Sequence, residues 1–278
     1  MSFQILLVNC GIVASLLVLY SIIVFFIARL NKDNSVMDIA YGPAFFISTI
    51  SAAFLTDSSG PLLAVVLGGI GIWSARLSSR IFRKNFGKPE DARYAKWREE
   101  WMQKGRGYFL IRSYVQVNLL QVLIILIVAL PAIFALSYPS EYSNAFLLIG
   151  SLVFLFGLLY ETIADWQLDQ FIAGKKAGTE AADLMTRGLF KYSRRPNYFG
   201  ETLVWWGLAI MVLPLPFGAL ALLSPLLITY IVAMVTGPIL EKGFLEKYPE
   251  KYQQYIDTTS YLLPWPPTPP QPATEVDS

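Results

Sequence analysis

The stretch RGLFKYSRRPNYFGETLVWW, residues 187–206, sets four cations, a Pro–Asn turn and a carboxylate against the start of a long apolar run. A soluble fold would solvate those charges, and a simple membrane anchor has no use for them. Arg194 and Arg195 stand just before Pro196, which suits the first turn of a helix. Asn197 and Glu201 lie four apart, so they share one face of that helix. An ionisable group carried into a bilayer is costly and marks a functional site. We expect a charged cofactor to bind at this turn.

The rest of the chain puts the turn in a membrane. Its 278 residues are 55% hydrophobic and 15% charged, with a mean hydropathy of +0.49. That is the composition of a polytopic membrane protein. A net charge of +2 gives no reason to expect nucleic acid, because the cations are confined to particular loops. The lone cysteine, Cys10, lies in an apolar run and excludes a disulfide framework within one chain. The first apolar stretch is too long for a cleaved signal peptide and lacks a basic leader. There is no histidine. Histidine-rich di-iron oxygenases are thereby excluded, haem ligation is disfavoured, and Ser–His and Cys–His nucleophiles are excluded too. Acid–base work falls to Asp, Glu, Tyr, Lys or Cys, and no metal site is expected. What remains is chemistry carried by an organic cofactor, or none.

Apolar spans of about twenty residues predict seven crossings. They are Ile5–Ala28, Val36–Leu55, Pro61–Phe82, Tyr114–Leu136, Ala145–Ala164, Gly200–Leu220 and Ala221–Leu240. Pro214, Pro216 and Pro225 crowd the junction of the last two, where a tight helical hairpin is expected. Lys and Arg follow spans one, three, five and seven and are missing after two, four and six. By the positive-inside rule the N-terminus is outside and the C-terminus cytoplasmic. The expected fold is an all-α integral membrane protein, with a cytoplasmic amphipathic helix at Glu241–Ile256. Residues 1–264 read as one domain, and residues 265–278 as a proline-rich, disordered tail. The basic, aromatic loop between spans three and four, RKNFGKPEDARYAKWREEWMQKGRGYF (residues 83–109), predicts short interfacial helices. Part of its charge suits anionic headgroups, so membrane lipids are expected partners. No obligate protein partner is implied.

Five ionisable residues fall inside or at the ends of spans: Asp38, Arg76, Glu161, Asp165 and Glu201. Tyr41 lies roughly a turn after Asp38. Arg76 and Arg80 are four apart, as are Glu161 and Asp165, so each pair forms a helical stripe. Charges at helix ends also snorkel to headgroups, which suffices for Arg83, Lys175 and Lys176. Phosphates want arginine, ribose hydroxyls want carboxylate or amide acceptors, and a flat ring wants aromatic walls. A nucleotide cofactor wants all three.

The SRRPNYFGE element (residues 193–201) and E-x-x-F-x-x-K-Y-P-x-x-Y-x-x-Y from Glu241 to Tyr255 resemble the C-terminal half of the steroid 5α-reductase and sterol reductase superfamily. The loop GKPEDARYAKWREEW looks like that superfamily's bacterial branch, proteins with a 3-oxo-5-alpha-steroid 4-dehydrogenase C-terminal-like domain. The likeness runs from about Asp38 to Pro264. It implies a seven-helix bacterial inner-membrane reductase that binds NADPH from the cytoplasm and reduces an activated C=C bond of a steroid-like or other lipidic substrate taken from the bilayer. Asn197, Glu201 and Asp165 match the family's nucleotide site. Arg76 fits the arginine of the third span, and Glu161 falls where the reductases often carry an amide. We extend the expected cofactor site to Arg80, Arg187, Tyr192, Arg194, Arg195, Tyr198, Tyr248 and Tyr252. The family's Gln–Glu pair on the second helix is replaced by Asp38 with Tyr41, the expected catalytic pair, and its third-helix tyrosine by Trp73 or Ser74. Isoprenylcysteine methyltransferases carry a related R-x-P-x-Y-x-G turn. An S-adenosylmethionine-dependent methyltransferase is therefore the alternative, and a scaffold that binds neither cofactor is the third.

Overall fold

A computed structural model describes residues 2–269, so the end of the expected tail lies outside the described residues. Among these residues every regular element is helical. In a bilayer this follows from the backbone, because a helix satisfies its own N–H and C=O groups where no water can. The helices are α1 (Ser2–Asn31), α2 (Val36–Leu55), α3 (Pro61–Asn85), α4 (Ala92–Gln103), α5 (Arg106–Arg112), α6 (Leu120–Val128), α7 (Leu130–Ser137), α8 (Asn144–Ala177), α9 (Pro196–Val212), α10 (Leu223–Tyr230), α11 (Gly237–Lys247) and α12 (Pro249–Thr258). A π-helical stretch, Ser113–Leu119, joins α5 to α6, and another, Ile231–Thr236, joins α10 to α11.

Among the described residues six helical runs are long and apolar enough to cross a membrane: Phe3–Asn31, Val36–Leu55, Pro61–Asn85, Arg106–Val128, Asn144–Ala177 and Gly218–Lys247. The protein is an all-α, multi-pass membrane protein. Seven runs are expected from sequence, and the difference is α9, whose 17 residues sit at the short end of a crossing helix. It stops at Val212 because Pro214 and Pro216 have no N–H to continue it, and a 3-10 turn, Gly218–Leu222, leads into α10. The fourth run begins at Arg106, earlier than expected, and breaks at Ala129 (ψ −2°) before Pro131 in α7. The amphipathic helix expected at Glu241–Ile256 is two helices. Tyr248 (φ −138°, ψ 63°) precedes Pro249, whose ring disfavours helical backbone at the residue before it.

Among the described residues the chain divides into two compact units: 2–150 with Leu208–Ser224, and Ser151–Gly207 with 225–269. In the first, α2 and α3 pack closely around the fully buried Phe45 and Trp73. Helix α2 passes through Pro43 without ending. Pro43 cannot donate to the Ile39 carbonyl, and the Ser78 hydroxyl of α3 donates to it instead at 3.0 Å. The Ser74 hydroxyl likewise donates to the Gly42 carbonyl at 2.7 Å. In the second unit, α8 and α9 approach through Gly157 and Gly200. A Cβ at Gly200 would lie 2.5 Å from the Glu161 amide nitrogen, too near for any side chain. Gly200→Ala is therefore expected to destabilise the protein by about 1–3 kcal/mol through overpacking. Thermal unfolding in detergent checks this against Gly11→Ala, whose Cβ would meet nothing within 4 Å. Equal melting of the two variants would contradict the close approach.

Candidate functional site

In the second unit the turn at 187–195 is built backbone-first. Gly188, at φ +61°, lets the Gln167 amide lie against it, and Gln167 Oε1 accepts from the Leu189 N–H at 2.9 Å. The extended segment after α12 then straps the turn down. Arg194 N–H donates to Ser260 O (2.8 Å), Arg195 N–H to Tyr261 O (3.1 Å) and Trp265 N–H to Tyr192 O (2.9 Å). The buried Ser193 hydroxyl reaches Leu262 O at 2.9 Å and Tyr261 O at 3.1 Å. Tyr255 donates to Phe190 O and Tyr261 to Val232 O, each at 2.5 Å.

The two arginines of the turn do different things. Arg194 is buried, its Nε donates to Glu241 Oε1 at 2.7 Å, and its Nη1 donates to the Ile256 and Thr259 carbonyls at the end of α12. Arg195 lies over the Phe244 ring, 5.3 Å from the centroid, and Phe244 stacks on the buried Tyr252. Its Nε and Nη2 are buried with no hydrogen-bond partner among the described residues. Arg194 thus holds the fold, and Arg195 keeps donors in hand.

Helices α8 and α9 supply the acceptors. Asn197, Gly200, Glu201 and Val204 fall on one face of α9, and Gly200 abuts Glu161 of α8. Glu161 and Asp165 are both buried, and Glu201 and Asn197 are half-buried. The carboxylate pair expected from sequence, Glu161 and Asp165, is on α8, and Glu201 is on α9, the helix whose Gly200 abuts Glu161. Tyr198 and Tyr248 are half-buried, whereas Tyr192 is exposed. Arg187 is exposed too, ion-paired with Glu180. It borders a cleft of about 510 Å³ between Trp166, Gln170, Phe171 and Met185. Arg76 and Arg80 belong to the first unit and are half-buried on α3.

Asp38 also belongs to the first unit. Its Oδ1 accepts from the Tyr94 hydroxyl at 2.7 Å, and its Oδ2 faces Arg93 Nη2 at 3.4 Å. The tyrosine seen donating to Asp38 comes from α4, where sequence suggests Tyr41. Tyr41 is half-buried with its ring edge-on to Phe45, 5.1 Å between centroids. Burial, and then the charge of Asp38, push the Tyr94 phenol well above its usual range. Tyr94 stays protonated across the physiological range.

Sequence reading missed Ser193, Tyr261 and the strap, because nothing local marks an extended segment as a partner of a distant turn. Glu241 was within sight, as the first residue of the C-terminal pattern. The strap also gives a pH dependence. Burial raises the Tyr261 phenol from 10.0 to about 12, with Arg195 pulling the other way. A raised folded-state pKa means the stabilisation is complete below pH 10.0 and is lost as pH rises through about 12. The melting temperature is expected to fall across that window, and to fall less in Tyr261→Phe. Parallel alkaline profiles for the two proteins would count against it.

Fold and site together define a multi-pass, all-α membrane protein with a cationic, carboxylate-lined turn at the head of a helix. Residues 24–259 match the family described as "Protein of unknown function (DUF1295)", and the chain belongs to that family. It is also 28% identical over 222 residues to an uncharacterized protein of Schizosaccharomyces pombe. That alignment takes in 69% of this chain and 60% of the relative, so it spans about three fifths of the relative's length. No solved structure matches the chain.

Proposed function

We propose that the protein is a membrane-embedded reductase that uses NADPH to reduce an activated C=C bond, an enone, in a steroid-like or other lipidic substrate. The observation that carries this reading is Arg195, whose Nε and Nη2 are buried without an acceptor beside a strapped, rigid turn. Such a fixed fork suits a phosphate oxyanion. Glu161, Asp165, Asn197 and Glu201 would take ribose hydroxyls and the carboxamide, and the Phe244–Tyr252 stack offers a flat apolar wall. NADPH, when bound, supplies the hydride. The chain's own part is proton handling and water exclusion. Asp38 Oδ1 holds the Tyr94 hydroxyl, and Tyr94 Oη carries a proton that can pass to a substrate carbonyl oxygen. The likeness of the SRRPNYFGE turn to steroid and sterol reductases supports the same class, with the site facing the cytoplasm of a bacterial inner membrane.

Thermal stabilisation of detergent-purified protein by NADPH, NADH and S-adenosylmethionine tests the reading. NADPH is expected to give the largest shift, because the arginine surplus of the turn suits its extra phosphate. A shift with S-adenosylmethionine alone would move the protein to the methyltransferases. No shift with either dinucleotide would remove the reductase reading.

A further inference from the structure

At the end of α1, two arginines share one phenylalanine. Arg29 lies over Phe25 and Phe109, 5.3 Å and 4.6 Å from the ring centroids, and Arg98 lies over Phe109 at 5.3 Å. Arg98 is neutralised, since its Nε and Nη2 both donate to the Glu90 carboxylate at 2.7 Å. Arg29 forms no ion pair with a carboxylate among the described residues. Its Nη2 donates to Asn34 Oδ1, a neutral amide. Arg29 Nε and Asn34 Nδ2 are buried and have no hydrogen-bond partner among the described residues. Both donors are held in place. Asn34 Oδ1 also accepts from the Ser113 hydroxyl at 3.1 Å, and the Asn34 N–H donates to Glu90 Oε1 at 2.7 Å.

Arg29 is half-buried, and enclosing part of a cation against an amide and two rings leaves some of its lost hydration uncompensated. Cation–π contact and the negative end of the α1 dipole offset part of that loss. An oxyanion taking the idle donors offsets more, in charge-assisted hydrogen bonds. Arg29 closes a span, so it lies at headgroup depth. Its neighbours Phe26 and Leu30 are 61% and 84% exposed, bare apolar surface of the kind acyl chains cover.

We infer that Arg29 and Asn34 form a site for a phosphate oxyanion, supplied by the headgroup of an anionic phospholipid. The site is independent of any cofactor and of the reductase reading.

The test compares melting in nanodiscs of phosphatidylcholine with melting in discs containing phosphatidylglycerol of the same chain length. Phosphatidylglycerol is expected to raise the wild-type midpoint by about 2–4 °C, the response of a protein of roughly this size to one stabilising contact. Arg29→Gln should lose that rise. Arg112→Gln, which removes an exposed cation seated over Tyr108, should keep it. A full rise in Arg29→Gln, or none in the wild type, overturns the site. Inorganic phosphate in lipid-free detergent gives the arm that separates sources. If it reproduces the rise in the wild type and not in Arg29→Gln, the lipid is overturned as the source. Should Arg29→Gln fail to fold, native mass spectrometry of the wild type decides. Retention of phosphatidylglycerol over phosphatidylcholine supports the site, and equal loss of both overturns it.

Discussion

Arg194→Ala is expected to cost about 3–5 kcal/mol of stability, the range for removing one partner of a buried ion pair, whereas Arg195→Ala should leave the protein folded and lose NADPH. The residues are adjacent and alike, yet the structure gives them opposite duties. Removing Arg194 strands the Glu241 carboxylate and uncaps the Ile256 and Thr259 carbonyls together. Arg194→Lys should not rescue it, because a single ammonium cannot serve a carboxylate and two carbonyls in the same geometry. Removing Arg195 strands no carboxylate, and it takes away donors that have no other partner among the described residues. The loss of cofactor affinity is expected at about 1.5–3 kcal/mol for each charge-assisted bond, or at least tenfold. Melting curves with and without NADPH read both effects. A folded Arg194→Ala that still responds to NADPH, beside an unfolded Arg195→Ala, would reverse the assignment.

Tyr94→Phe is expected to lower enone reduction by about a hundredfold to ten-thousandfold, the usual contribution of a positioned general acid, while NADPH stabilisation is retained. Asp38→Asn should follow the same pattern. The amide can hold the phenol through its oxygen, but it is not ionisable and cannot relay a proton back to the phenol once that proton has been given up. Tyr41→Phe, at the residue that sequence suggests and whose ring is edge-on to Phe45, is the comparison variant. Single-turnover reduction of a simple lipidic enone separates the variants. If Tyr41→Phe alone abolishes turnover, the donor is the one sequence suggested. Should Asp38→Asn melt early instead, the Asp38–Tyr94–Arg93 cluster is a structural clasp between α2 and α4.

Much of this was legible in the sequence, for physical reasons that also set the limit. Val36–Leu55 was read to the residue because hydropathy and the following turn coincide at its end. Span six runs too far because hydropathy continues through Pro214 and Pro216 while the helix ends at Val212, whereas span seven, Ala221–Leu240, lies inside the run Gly218–Lys247. Tyr248 breaks a helix whose apolar pattern continues across it, and only Pro249 tells of that. The i, i+4 spacing pairs Glu161 with Asp165 on one helix and Asn197 with Glu201 on another, and it says nothing of how the two pairs meet. The duties of Arg194 and Arg195 were hidden, since Arg194's partners lie 47 to 65 positions away. Tyr94 and Asp38 are 56 apart for the same reason. Periodicity reports what shares a helix face, and it is silent on what a loop brings back.

The strap also fixes an order of events in biosynthesis. The turn bearing Arg194 and Arg195 leaves the ribosome well before Ser260, Tyr261 and Trp265, whose backbone groups fasten it. At about 5–20 residues per second the delay is of the order of several seconds. Through that interval the helices can enter the bilayer, but the basic turn has nothing to hold its shape. A chain stalled or cut before residue 260 would therefore be inserted and still lack the strap. Dinucleotide binding, on the proposed reading, would distinguish finished molecules from merely integrated ones.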